Sequence, residues 1–125
     1  MVRTPRPKVN QKYPIVETIE GQQIPIDDHG IVSDHRAAPA GPPPRADEIS
    51  AAAQWLATQR PSTTRWLSTE TARHSAACLT GQHVSDGAVL AAAYACGYRV
   101  SWQPCDGHRA RIGISRQSHA AEVTR

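Results

Sequence analysis

The stretch Ser85–Gly97, S-D-G-A-V-L-A-A-A-Y-A-C-G, constrains the fold of this chain most. Ser85 is placed to cap a helix through its hydroxyl, and Asp86 sets a negative charge near the positive end of the helix dipole. Alanine is the best helix former, and Ala88 to Ala93 run without a breaker. Gly97 stands where a left-handed C-terminal cap belongs. Val89, Ala92, Ala93 and Cys96 fall on one face, flanked by Leu90 and Tyr94. Such small side chains let a helix sit close to its neighbours, so this segment predicts a packed centre.

The rest of the chain is sparing with core-forming residues. Of 125 residues, 39% are hydrophobic, ten are proline and none is phenylalanine. A core of roughly 70–80 residues is expected, the small end of what folds alone. The prediction is an α+β domain over 46–116, preceded by an extended or partly disordered N-terminal arm and proline-rich linker over 1–45 and followed by a tail over 117–125.

Within the arm, residues 1–12 are basic and proline-broken. Residues 13–36 are β-branched, with a short hairpin expected around Gly21–Gln23 and Pro25 confining it to an edge. That segment is too poor in apolar residues for its own core. Docking on the main domain, pairing with a partner and remaining loose are all open. Residues 37–45, A-A-P-A-G-P-P-P-R, read as a stiff spacer.

The domain itself opens with a helix over 47–59, where Ile49, Ala52, Ala53 and Leu56 keep helical spacing and Trp55 adds an aromatic edge. Residues 62–68 read as a linker anchored by Trp66 and Leu67. A second helix over 69–80 starts at the Ser68 capping pattern, turns Ala72, Ala76 and Leu79 inward and stops at Gly81. After a turn over 81–84 and the Ser85 helix, the period changes to two. Tyr98, Val100 and Trp102 face inward on one strand, and Ala110, Ile112 and Ile114 on the next. Asp106-Gly107 is a hairpin dipeptide between them. Helix, helix, short turn, helix and hairpin is the order of a winged helix-turn-helix.

The charges suggest a partner. Residues 1–12 carry +4, residues 13–50 carry −5 and residues 51–125 carry +4. Basic segments suit phosphate. Arg99, Arg109, Arg111 and Arg116 on or after the hairpin are expected to hold a nucleic-acid backbone, assisted by Arg3, Arg6 and Lys8 in the arm. The Ser85 helix offers few polar side chains to a groove, so it reads as packing scaffold first. The alternative is a protein-binding adaptor, inhibitor or assembly component whose segment 13–36 orders on a host or phage protein.

The run H-V-S-D-G-A-V-L-A-A-A-Y-A-C-G-Y-R-V, followed by A-R-I-G-I-S, resembles small uncharacterised proteins of bacteriophages and mobile elements that share an S-[ND]-G-A, A-A-A, G-Y pattern. The resemblance covers residues 83–115. It implies a phage or mobile-element context and a shared fold, and it carries no activity. Here Asp86 stands in place of the usual asparagine, and Gly113 stands near the second one.

No nucleophile elbow, phosphate loop or paired catalytic carboxylate is present, so no enzyme, catalytic residue or cofactor is expected. Asp27-Asp28-His29 and Asp34-His35 are ligand types in a segment poorly suited to preorganised chemistry. No metal is expected either, although His74 and Cys78 share a helix face and, with Cys105 and His108, would complete a two-Cys, two-His zinc set if the hairpin reached that helix. No run of about 18 apolar residues occurs, so no membrane contact is expected. Three cysteines suit a reducing cytoplasm, here that of a bacterial host.

Overall fold

A computed structural model describes residues 13–33, 39–106 and 110–115. These residues contain three α-helices, one turn of 3-10 helix and two small antiparallel sheets, the expected α+β composition. Arg3, Arg6, Lys8, Asp34, His35, His108, Arg109, Arg116 and the tail lie outside the described residues.

The helices form where their caps dictate. Helix α1 (Ala46–Leu56) has Asp47 and Glu48 in its first turn and buries Ala51, Ala52, Trp55 and Leu56. It ends at Leu56 rather than at residue 59: the Thr58 and Gln59 amides donate to the Trp55 and Leu56 carbonyls, three residues back, so the last turn tightens and the α-helical ladder stops. Helix α2 (Thr69–Thr80) has the expected bounds. Ser68 Oγ accepts from the Thr71 amide, and Gly81 takes φ 69° as its left-handed stop. Ala72 and Ala76 face inward, but Leu79 is 55% exposed. Cys78 and residues 81–83 beside it are exposed too, so the last turn projects beyond the packed body.

Helix α3 (Asp86–Ala95) is the centre of the molecule. Ser85 caps it by accepting from the Ala88 amide. Gly87, Ala88, Val89, Leu90, Ala92 and Ala93 are all buried, which is more than one face. The reason is that α3 is packed from both sides. Helices α1 and α2 lie against it on one side, and the strands β1 (Ile15–Glu17), β2 (Gln23–Asp27) and β3 (Gly30–Ile31) on another. Cys96, expected on the inner face, is exposed, because the helix has ended at Ala95.

Those three strands correct the expected domain boundary. Val16, Ile24, Ile26 and Ile31 join one core with α1–α3, so the compact body begins near Tyr13 and not at residue 46. The segment lacks a core of its own and uses the surface of α3 instead. The expected hairpin is present, with Val16 opposite Ile24 and Gly21 at φ 89° in the turn. Pro25, however, sits in the middle strand, since the order is β1-β2-β3. An antiparallel residue points its N–H and C=O to the same side, and the Pro25 carbonyl accepts from Val32. The missing donor therefore faces Val32, one residue past β3, where the ladder has ended.

The described part of the proline-rich stretch is no free spacer. The Gly41 amide donates to Asp27 Oδ2 at 2.7 Å, Tyr13 Oη donates to the Gly41 carbonyl, and the Asp28 amide donates to the Pro42 carbonyl. Polyproline residues carry few donors, and their carbonyls stay available to such partners.

The second sheet has the order β4-β6-β5, with β4 (Leu67–Ser68), β5 (Val100–Ser101) and β6 (Arg111–Ile112). Tyr98, Val100, Trp102, Ala110, Ile112 and Ile114 are buried, as the alternation predicts. Strand β4 lies in the presumed linker. Leu67 pairs with Ile112, the Pro61–Ile114 bridge continues the contact, and the Ser62 amide donates to the Gly113 carbonyl. Residues 61–68 thus run alongside β6. The two sheets meet where the Ile19 amide donates to the Val100 carbonyl.

Candidate nucleic-acid interface

Alternation sorts the second sheet into two faces. Leu67, Val100 and Ile112 point to the core, so their neighbours point away. Ser68, Arg111 and Ser101 are cross-strand partners on the other face, where Ser101 is buried beneath Glu20 while Ser68 and Arg111 are exposed. Arg99 and Trp66, each two residues from a partner, extend that face.

Arg111 is exposed, while Arg99 and Trp66 are half-buried. The Arg99 guanidinium lies over the Trp66 ring, 5.1 Å from its centroid. Its Nη1 donates to the Thr63 carbonyl at 3.0 Å. A cation over an indole face is held by the ring quadrupole, so the two contacts together fix the guanidinium. Gly113 makes room for this arrangement. A Cβ there would lie 2.5 Å from the Ser62 carbonyl oxygen and 3.5 Å from the Arg99 Cβ.

The segment beside β6 adds two more cations, the exposed Arg60 and Arg65. Ser62 Oγ accepts from the Thr64 and Arg65 amides, a side-chain turn that holds Arg65 next to Trp66. Among the described residues, no carboxylate lies within ion-pair distance of Arg60, Arg65, Arg99 or Arg111. The other described arginines are paired. Arg73 Nε meets Asp86 Oδ1 at 2.8 Å, and Arg45 meets Asp47 at 3.0 Å and Glu48 at 3.8 Å. The hydrogen bond from Arg45 lowers the Asp47 pKa and raises that of Arg45 itself. The outer sheet face is therefore where uncompensated positive charge gathers.

Of the sequence-predicted phosphate ligands, Arg99 and Arg111 are brought onto this one face. Trp66, expected as an anchor of the linker, lies on it instead, and the exposed Arg60 and Arg65, not singled out, lie on the segment beside it. The signal was present, since Trp66-Leu67-Ser68 alternates out-in-out directly after the turn that carries Arg65, but two strand residues are too short a pattern to stand out.

The zinc set does not assemble among the described residues. His74, Cys78 and Cys105 are all exposed, and they are absent from the one described group of metal-ligand types within 4.8 Å, Asp27-Asp28-His29. That group is a turn device. Asp27 Oδ1 accepts from the His29 and Gly30 amides and Oδ2 from the Gly41 amide, while Asp28 Oδ1 contacts His29 Nδ1 at 2.7 Å. The neighbouring depression, about 240 Å³ between Asp28, His29, Arg73, His83, Ser85 and Asp86, is polar and holds the Arg73–Asp86 pair.

Two further polar side chains tie elements together. Glu20 reaches from the first hairpin to accept from Ser101 Oγ at 2.7 Å and the Trp102 amide. Burial pushes its pKa up, but these hydrogen bonds outweigh it and hold the group below its ordinary value. Tyr98 Oη donates to the Leu56 carbonyl, and burial raises its pKa.

No protein-family model, curated protein or solved structure matches this chain. Among the described residues, no helix is long and apolar enough to cross a membrane.

Proposed function

We propose that this is a small, non-enzymatic nucleic-acid-binding protein with a winged-helix-like domain, which holds phosphates on the outer face of its second sheet. The observation that carries the reading is the set Arg60, Arg65, Arg99 and Arg111, which has no acidic partner among the described residues. Phosphate contacts give affinity and orientation without requiring base readout, and arginine suits them because its planar fork matches phosphate oxygens.

The element order supports the winged-helix likeness. A helix, a strand, two helices and two strands follow one another, and the first of these strands pairs with the last. The chain departs from that scheme at α3. The helix that would enter a groove is covered by β1–β3 and buried around most of its circumference. Contact is therefore assigned to the sheet, with Arg109 and Arg116 beyond its described residues and Arg3, Arg6 and Lys8 in the N-terminal segment as additional cations. A partner protein that folds residues 13–36 is not needed, because residues 13–33 already pack on their own domain.

Fluorescence anisotropy with labelled oligonucleotides at rising salt tests the reading. Binding is expected at low salt, with log K falling linearly in log salt by about 0.7–0.9 per phosphate contacted. Absence of binding to both single strands and duplexes at low salt overturns it.

A further inference from the structure

We infer that the Arg99–Trp66 pair is a stacking platform for an unpaired base, so that the ligand class of this face is single-stranded nucleic acid rather than duplex. The inference rests on the phosphate-binding reading above and specifies its substrate.

Trp66 is the first reason. The protein has three tryptophans, and two of them are core residues: Trp55 is 2% exposed and Trp102 is 3% exposed. Trp66 alone is left half-buried, on the outer side of a sheet, where a large apolar ring gains least from the core. A cation lies over its ring. An indole and a guanidinium both offer flat surfaces on which a nucleobase stacks, and every base has such a surface.

The second reason is preorganisation. Arg99 bonds Thr63 through Nη1 and lies over the ring, so its position is set before any ligand arrives. Gly113, which a Cβ would disturb, keeps the Arg99 backbone and the 62–63 segment close enough for that. The rest of the Arg99 fork has no acceptor among the described residues. A base laid on the pair would extend the stack, while Arg111, Arg60 and Arg65 flank it with charge for the backbone.

The third reason is what the described residues lack. Duplex readers insert a helix or a strand pair into a groove. Helix α3 is roofed by β1–β3, and β4 and β5 are two residues long each. A single strand needs no groove insertion. It needs a basic sheet face with an aromatic platform, and strand-sheet recognition of RNA and single-stranded DNA works on those terms.

The test uses the full chain with a fluorescein-labelled oligothymidine of about fifteen nucleotides and a mixed-sequence duplex of the same length. Single-strand affinity is expected to exceed duplex affinity about tenfold at equal salt, since each stacked base contributes a factor of about five or more. Binding should quench tryptophan emission, because the accessible indole is the one at the platform. Arg99→Lys keeps the charge and loses the planar surface; it should lower single-strand affinity about tenfold and duplex affinity by a clearly smaller factor. Trp66→Phe keeps an aromatic ring and should retain single-strand binding within about threefold, whereas Trp66→Leu should lose it in step with Arg99→Lys. Circular dichroism of each variant separates misfolding from lost stacking, and Arg99→Lys alone decides the case if Trp66→Leu does not fold. Equal affinity for duplex, or an unchanged single-strand affinity in Arg99→Lys, overturns the platform and leaves phosphate binding standing. Failure of both oligonucleotides to bind at low salt overturns the phosphate reading and this inference with it.

Discussion

In the sheet β1–β3, carboxylates are turned onto the protein's own backbone. Asp27 accepts three backbone amides, and Glu20 reaches across to Ser101 and Trp102 at the second sheet. In the sheet β4–β6 and the segment beside it, arginines point outward and find no carboxylate among the described residues. The same chain thus turns one set of charges onto its own hydrogen-bond donors and leaves the other set without a carboxylate among the described residues. A buried charged group that lacks hydrogen bonds is costly, so acids packed into a fold must be satisfied internally. Exposed cations carry no such requirement and stay available to a ligand.

The contrast predicts that the first sheet governs stability and the second governs binding, and substitutions can break it. The largest effect is expected from Gly87→Ala. A Cβ there would lie 1.7 Å from the Asp27 carbonyl oxygen, a backbone atom, where the Gly87 amide donates to the Asp28 carbonyl. The sheet must move off the helix start, with a loss of about 3 kcal/mol or more in chemical denaturation. A loss under about 1 kcal/mol would mean that the cover is not seated on α3 as described.

Asp27→Ala comes next. It leaves the His29, Gly30 and Gly41 amides without their acceptor, and a loss of about 2–3 kcal/mol is expected. Oligonucleotide affinity, measured under conditions where the variant is folded, should be unchanged within twofold.

Glu20→Gln is the smallest. Glu20 is exposed, so its hydrogen bonds are screened and the loss at neutral pH should stay within about 0.5 kcal/mol. Its folded pKa lies below its unfolded one. The stabilisation is therefore present above the ordinary glutamate value, about 4.3, and disappears as the pH falls through the lowered one. Wild type and Glu20→Gln should differ in thermal midpoint near pH 6 and converge as the pH falls through the lowered Glu20 pKa. A gap that widens toward low pH would reverse the sign of this contact.

What was legible in the sequence follows the reach of the forces involved. Helix α2 matches its expected bounds because Ser68 and Gly81 are local stop signs, and Ser85 and Gly97 mark α3 for the same reason. The inward alternation of Tyr98, Val100 and Trp102 is local as well. Strand β4 was hidden because Leu67 becomes a strand residue only by pairing with Ile112, and the Thr69 contacts to Ala110 close a separation of 41 residues. The docking of residues 13–33 was hidden because the receiving surface belongs to α3. Gly87 is tolerable in a first turn on propensity alone; its need appears only once Asp27 lies against it. The candidate site was half legible. Arg99 and Arg111 were visible as strand arginines, whereas Trp66 and Arg65 joined them through a turn made by Ser62.

The central claim is that ligand meets the second sheet and not the first. Amide hydrogen exchange of the full chain, with and without a saturating single-stranded oligonucleotide, locates the contact directly. Slowed exchange is expected in residues 60–66, 99–101 and 110–113, with residues 15–31 unchanged. Protection confined to residues 15–31 would contradict the account.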